Sequence, residues 1–343
     1  MIVDLRSDTF TKPSKDMRRA IARAEVGDDV FGEDPTVNRL QEEVASLLGK
    51  ERGLFVASGT MANQIAVNAH TQPGEEVILE ANSHIFYYEA GGAALLSGVQ
   101  LRPISTEDGI LRSDQIENGV RPENVHFPPT SLICLENTLN RAGGKVFPID
   151  EIKRIREVAD KYNLKLHLDG ARLWNASVAT GIPLDEYAKY FDSVSVCFSK
   201  GLGAPVGSLL AGSEEFINRA HRYRKIYGGG MRQAGIIAAG ALYAVRNNVR
   251  RLAEDHENAR TLAEGVASLP GISIDMDSVQ TNIIIMKIER AKYNSIRIVE
   301  ALKKRGVLIL AVGPDTLRAV THLDVSKKEI KYAVRAFQEV FRD

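Results

Sequence analysis

The sequence predicts an α/β protein: a larger part built on a mainly parallel sheet, followed by a smaller α+β C-terminal domain. Three observations lead there. Through the first two thirds, short β-rich runs alternate with helical patterns, the order expected of a parallel sheet covered by helices. After "LPG" at 269–271 the pattern changes to strands arranged around one helix. The chain has 343 residues, 44% of them hydrophobic, enough for two domains with substantial cores. The predicted division is 1–250 and 251–343, with the boundary in the helical stretch 230–269.

Near the front, "EDPTVNRLQEEVASLLG" reads as a helix with Asp34 as N-cap, Pro35 at the first helical position and Gly49 as the stop. Predicted strands follow at 53–57, 76–80, 100–105, 131–136, 164–169, 193–199 and 207–211. Between the fourth and fifth, "PIDEIKRIREVADKYN" sets Ile149, Ile152, Ile155, Val158, Ala159 and Tyr162 at helical spacing, so that helix should pack on the sheet. The stretch 230–269 reads as two helices. Strands at 272–276, 281–288, 307–312 and 317–322 then surround a helix at 293–305. In the closing segment Ser326 and Glu329 form a capping box, and Ile330, Ala333, Val334, Phe337, Val340 and Phe341 make one apolar stripe.

Composition narrows the function classes. Lys plus Arg number 44 and Asp plus Glu 44, which leaves no overall basic field for nucleic acid or an anionic membrane. Cys134 and Cys197 lie inside apolar runs and read as buried thiols in a reducing cytoplasm. The start "MIVDLRSDTF" lacks the order of a signal peptide, and "GIIAAGALYAV" is too short to span a bilayer.

Ligands of open α/β sheets sit beyond the carboxyl ends of the strands, and three segments stand there: "SGTMAN" from Ser58, "DGAR" from Asp169, and Lys200 after "SVSVCFS". Each has an ordinary reading: a helix N-cap, a structural Asp169–Arg172 ion pair, and a solvated lysine. Neither a Walker pattern nor a clean dinucleotide fingerprint is present. Together the three supply what pyridoxal phosphate requires: an amine for its aldehyde, a carboxylate for its ring nitrogen and a helix N-terminus for its phosphate.

The chain then resembles the threonine aldolases of the aspartate-aminotransferase-like, fold type I pyridoxal phosphate enzymes. The likeness runs in order through "DLRSDTFTKP", "GDDVFGEDPTVNRLQEEVASLLG", "ASGTMANQIA", "HLDGARLWNA", "FSKGLGAPVGS" and "GGGMRQAG". It implies that Lys200 carries the cofactor, Asp169 pairs with the ring nitrogen, and Ser58, Gly59 and Thr60 hold the phosphate. By the same resemblance His84 stacks on the ring near the substrate hydroxyl, with His126 as a second histidine. Ser7, Arg172 and Arg318 match carboxylate-binding positions, Arg172 also lies against the cofactor, and Arg232 reaches its phosphate across a subunit boundary. Leu139 departs from the family, where many members carry histidine. The implied reaction is aldol cleavage of L-threonine or L-allo-threonine to glycine and acetaldehyde by a homotetramer, without a metal. Within the same cofactor class the alternative is a β-eliminating lyase or aminotransferase. A phosphate- or nucleotide-binding protein with this sheet is the non-enzymatic one.

Overall fold

The computed structural model describes residues 1–289 and 294–342. Seven strands form the main sheet, in the order Arg52–Val56, Ser208–Gly212, Ser193–Cys197, Lys165–Gly170, Thr130–Glu136, Glu76–Glu80 and Gln100–Ile104. Only Ser208–Gly212 runs against its neighbours; the other pairings are parallel. The central strands are buried on both faces, as parallel strands covered by helices require. The expected α/β class and mainly parallel sheet are therefore observed.

Helices form where the caps allow. Asp34 accepts hydrogen bonds from the N–H groups of Thr36 and Val37 and starts Pro35–Leu47. Ile152, Ile155, Val158 and Ala159 turn the apolar stripe of Ile149–Lys161 inward, into the core that also holds Phe55, Trp174, Phe198 and Leu242. Gly235–Asn248 and Leu252–Ala267 are the two helices read within 230–269. Among the described residues no helix is long and apolar enough to cross a membrane. Both cysteines are buried.

A second sheet, antiparallel throughout, orders Leu310–Gly313, Thr316–Val320, Ile283–Ile288 and Ile272–Ser273. Two strands differ from expectation. The run at 272–276 stops pairing at Ser273, because Asp275 caps a 3-10 turn at Met276–Ser278. The run at 307–312 divides: Val307–Leu308 pairs in parallel with Val3–Asp4, and Leu310–Gly313 joins the second sheet. The helix predicted at 293–305 is Ser295–Lys304, and Tyr293 lies outside the described residues. Val3 and Leu5 pack in the second apolar core with Ile284, Leu302, Leu317 and Phe337, so the front of the chain is built into the C-terminal core.

Candidate active site

The carboxyl ends of the parallel strands converge on one polar cluster. Strand Arg52–Val56 feeds the helix Gly59–His70, whose N-cap Ser58 accepts from Met61 N–H at 3.1 Å. A β-carbon on Gly59 would stand 2.8 Å from Cys197 Sγ, so the close approach of this helix to the strand end needs glycine. The start of a 12-residue helix thus lies against the strand end at Cys197, and a helix N-terminus favours an anion.

Asp169 lies near the end of its strand, 3% exposed. Its Oδ1 accepts from Ala171 N–H at 3.1 Å, and its Oδ2 from Asn63 Nδ2 at 2.8 Å. Asn63 Nδ2 also donates to Glu89 Oε1 at 2.8 Å, and Glu89 Oε1 meets His84 Nδ1 at 2.7 Å. Burial works against a charge on His84, but the Glu89 hydrogen bond and the nearby Asp169 outweigh it and raise the imidazole above its ordinary value. The His84 backbone N–H donates to Glu136 Oε2 at 2.6 Å, and Asn140 N–H donates to Glu136 Oε1 at 2.8 Å. Burial and Asp169 push Glu136 up to about 7 despite these donors.

Arg172 does not pair with Asp169. Its Nε and Nη2 grip Asp8 at 2.8 and 2.7 Å, both side chains being buried. Asn282 adds a third donor to Asp8 at 3.2 Å. Burial opposes the Asp8 charge, yet Arg172 beside it holds the carboxyl well below the usual carboxylate range. Ser7 caps the turn that presents Asp8, accepting from Thr9 N–H at 3.3 Å. Lys200 stands half-buried just past its strand. Its charge is felt at both Asp8 and His84, and its Nζ makes no ion pair among the described residues.

Arg318 approaches from the second sheet. It lines a cavity of about 180 Å³ with Tyr88, Asn140, Arg141, Ile285 and Lys287. Burial and the adjacent Arg172 lower its pKa, and its Nε is buried without a partner among the described residues. Both guanidinium groups feel Asp8, which Arg172 already occupies, and Glu136 acts on Arg172 as well, so Arg318 is left without a carboxylate of its own among the described residues. That imbalance suits a second, external carboxylate.

Lys200, Asp169, His84, Arg172 and Arg318 are thus linked by hydrogen bonds or by direct electrostatic influence, with Ser58, Gly59 and Thr60 at the helix start. His126 is exposed, its N–H on Asn124 Oδ1, and nothing joins it to the others among the described residues. Arg232 is drawn to Asp28 at 3.1 Å. Leu139 is buried in the main core and makes a bridge to Lys145. Sequence reasoning missed Asp8, Asn63, Glu89, Glu136 and Asn282. The first sits in "RSDTF" and the next two in helical or turn segments, where a polar residue ordinarily faces water.

Comparison with known proteins places this architecture. A family model described as "Beta-eliminating lyase" matches residues 4–289, which defines the class. The chain is 46% identical to "Probable low-specificity L-threonine aldolase 2" of Arabidopsis thaliana, over 99% of this chain and 97% of that one. It is also 46% identical to the "Low specificity L-threonine aldolase" of Escherichia coli K12, over 96% of each. A threonine aldolase structure from Leishmania major superposes with a TM-score of 0.83 at 22% identity, covering 98% of this chain and 99% of that one. The chain belongs to the threonine aldolase family.

Proposed function

We propose that the protein is a pyridoxal-phosphate-dependent aldolase that cleaves L-threonine and L-allo-threonine to glycine and acetaldehyde. The observation that carries this reading is the Lys200 amine, without an ion pair among the described residues, whose charge acts on both Asp8 of the Asp8–Arg172 pair and His84 of the His84–Glu89 pair. The residues present fit the cofactor. The start of helix Gly59–His70, with Ser58, Gly59 and Thr60, would take the phosphate, Asp169 the ring nitrogen and Lys200 the aldehyde carbon. Bound there, pyridoxal phosphate supplies a protonated ring that accepts the electron pair released when the Cα–Cβ bond breaks.

The remaining work falls to this chain's side chains. Arg318, with its unpartnered Nε, and Arg172, with Nε and Nη2 committed to Asp8, hold the substrate carboxylate beside Ser7. His84 gives its Nδ1–H to Glu89, which leaves Nε2 as the lone-pair nitrogen to accept the β-hydroxyl proton. His126 assists, and Arg232 reaches a cofactor phosphate across a subunit boundary in a cytoplasmic homotetramer.

The test is product analysis with both threonine diastereomers and added cofactor. Glycine with acetaldehyde is expected. Ammonia with a keto acid instead would mean β-elimination, the other chemistry the family model's description suggests. Light scattering checks the assembly.

A further inference from the structure

Behind Asp169, between helix Gly59–His70 and the sheet, runs a stripe of polar side chains where a core is ordinarily apolar. His167 and Asp169 point to one face of their strand, Ser193 and Ser195 to the same face of the next, and the register pairs His167 with Ser193 and Asp169 with Ser195. Asn63 and His70 lie two turns apart on the covering helix and meet that stripe. His167, Ser193, Ser195 and Asn63 are all buried.

The side-chain contacts fit one consistent direction, and the Ser193 carbonyl, which favours a protonated His167, pulls against it. Asn63 Nδ2 donates to Asp169 Oδ2 and Glu89 Oε1, so its Oδ1 is the acceptor, taking Ser195 Oγ at 3.0 Å and His167 Nε2 at 3.1 Å. A neutral His167 that donates from Nε2 accepts at Nδ1, where Ser193 Oγ stands at 2.8 Å. Ser193, having given its proton to His167, accepts from His70 Nε2 at 2.7 Å. That leaves His70 Nδ1 as a bare lone pair, and this atom is indeed buried without a partner among the described residues. Burial keeps both rings neutral: it lowers His167 to about 4, against the pull of Asp169 and of a hydrogen bond with the Ser193 backbone, and His70 to about 3. The groups facing this line are His84, Glu136 and Cys134 around Asp169, and Asp192, Arg219 and Lys165 around His70.

We propose that His70, Ser193, His167 and Asn63 form a one-directional positioning relay that holds the Asn63 amide with its two N–H bonds toward Asp169 and Glu89. Two carboxylates lie here with ligand atoms, together with His84, within 4.8 Å of one another, and one amide donates to both. A flipped amide presents its oxygen to both anions; the two donors on Asn63 Oδ1 prevent that. The relay rests on the cofactor reading above, since Asp169 is its business end.

Two measurements test it. In apo protein with 15N-labelled histidine, His70 and His167 are expected to be neutral and protonated on Nε2 between about pH 5.5 and 8; protonation of His167 on Nδ1 overturns the relay. In protein loaded with pyridoxal phosphate, Ser193→Ala removes the link between the two rings. It should lower kcat about five- to tenfold, the size of one hydrogen bond, and speed cofactor release, with KM for L-threonine within about twofold. Ser193→Thr, which keeps the hydroxyl, should restore both. A Ser193→Ala variant that melts earlier yet keeps the parental kcat and cofactor release would reduce the stripe to packing. If the parent itself takes up no cofactor, the proposed function fails, and the relay's direction is still decided by the apo spectra.

Discussion

Arg318 carries a guanidinium that is partly buried beside another, with an Nε that nothing among the described residues satisfies. Replacing it with alanine removes a charge-assisted contact worth about 1.5–3 kcal/mol, so KM for threonine should rise roughly 10- to 150-fold with a smaller change in kcat. Steady-state kinetics on both diastereomers decide this; an unchanged kcat/KM removes Arg318 from the carboxylate site. Glu89 is the other telling residue. With Asp169 it raises His84 against the effect of burial, so the stabilisation from that proton is fully present below about pH 6.5 and is lost as pH rises through the raised folded value. As a base, His84 works only above that value. Glu89→Gln should therefore shift the acid limb of kcat/KM to lower pH while reducing the plateau about tenfold or more, and a limb that stays in place assigns the proton to another group. That Lys200, Asp169 and Ser58 stand just beyond or at strand ends was legible in the sequence because each follows an apolar run. Glu89, Asn63 and Asp8 were not, because what defines them is a partner 5, 106 or 164 residues away.

The helix Gly59–His70 does more than cover the sheet: its start lies against the strand end at Cys197, and its inner face supplies Asn63 and His70. Its position depends on how closely Gly59 lies to Cys197. Gly59→Ala puts a methyl 2.8 Å from Cys197 Sγ, and the overpacking should cost about 1–3 kcal/mol. Because the displaced part is the helix start, cofactor affinity should fall with it, measured by titrating apo protein with pyridoxal phosphate; parental affinity in a destabilised variant would detach the phosphate from this turn. The element was easy to read, since β-branched runs and caps determine strands and helix starts locally. The failures came where pairing overrides local preference. Val307–Leu308 and Leu310–Gly313 form one apolar run in sequence, yet they serve different sheets because Val3–Asp4 takes the first two residues as its partners.

Across the whole molecule, Asp8 is the tie point: Arg172 comes to it from the main sheet and Asn282 from the strand order of the second. Asp8→Asn leaves a buried guanidinium without its counter-charge and should destabilise the protein by about 3–5 kcal/mol in a denaturant titration. The linkage has a definite sign. With Asp8 held below its ordinary value, its contribution is present above about pH 4 and is lost as pH falls further, so the gap between parent and variant should close in acid. A gap that persists unchanged at low pH would mean the loss comes from packing. The same tie point also imposes an order on biogenesis. Asp8 leaves the ribosome 274 residues before Asn282, and at about 5–20 residues per second that is a wait of roughly 15–55 s during which Arg172 can already be in place. The nascent chain therefore holds its main sheet well before it can seal the pocket, and only translation of the last strands turns a folded scaffold into a competent one.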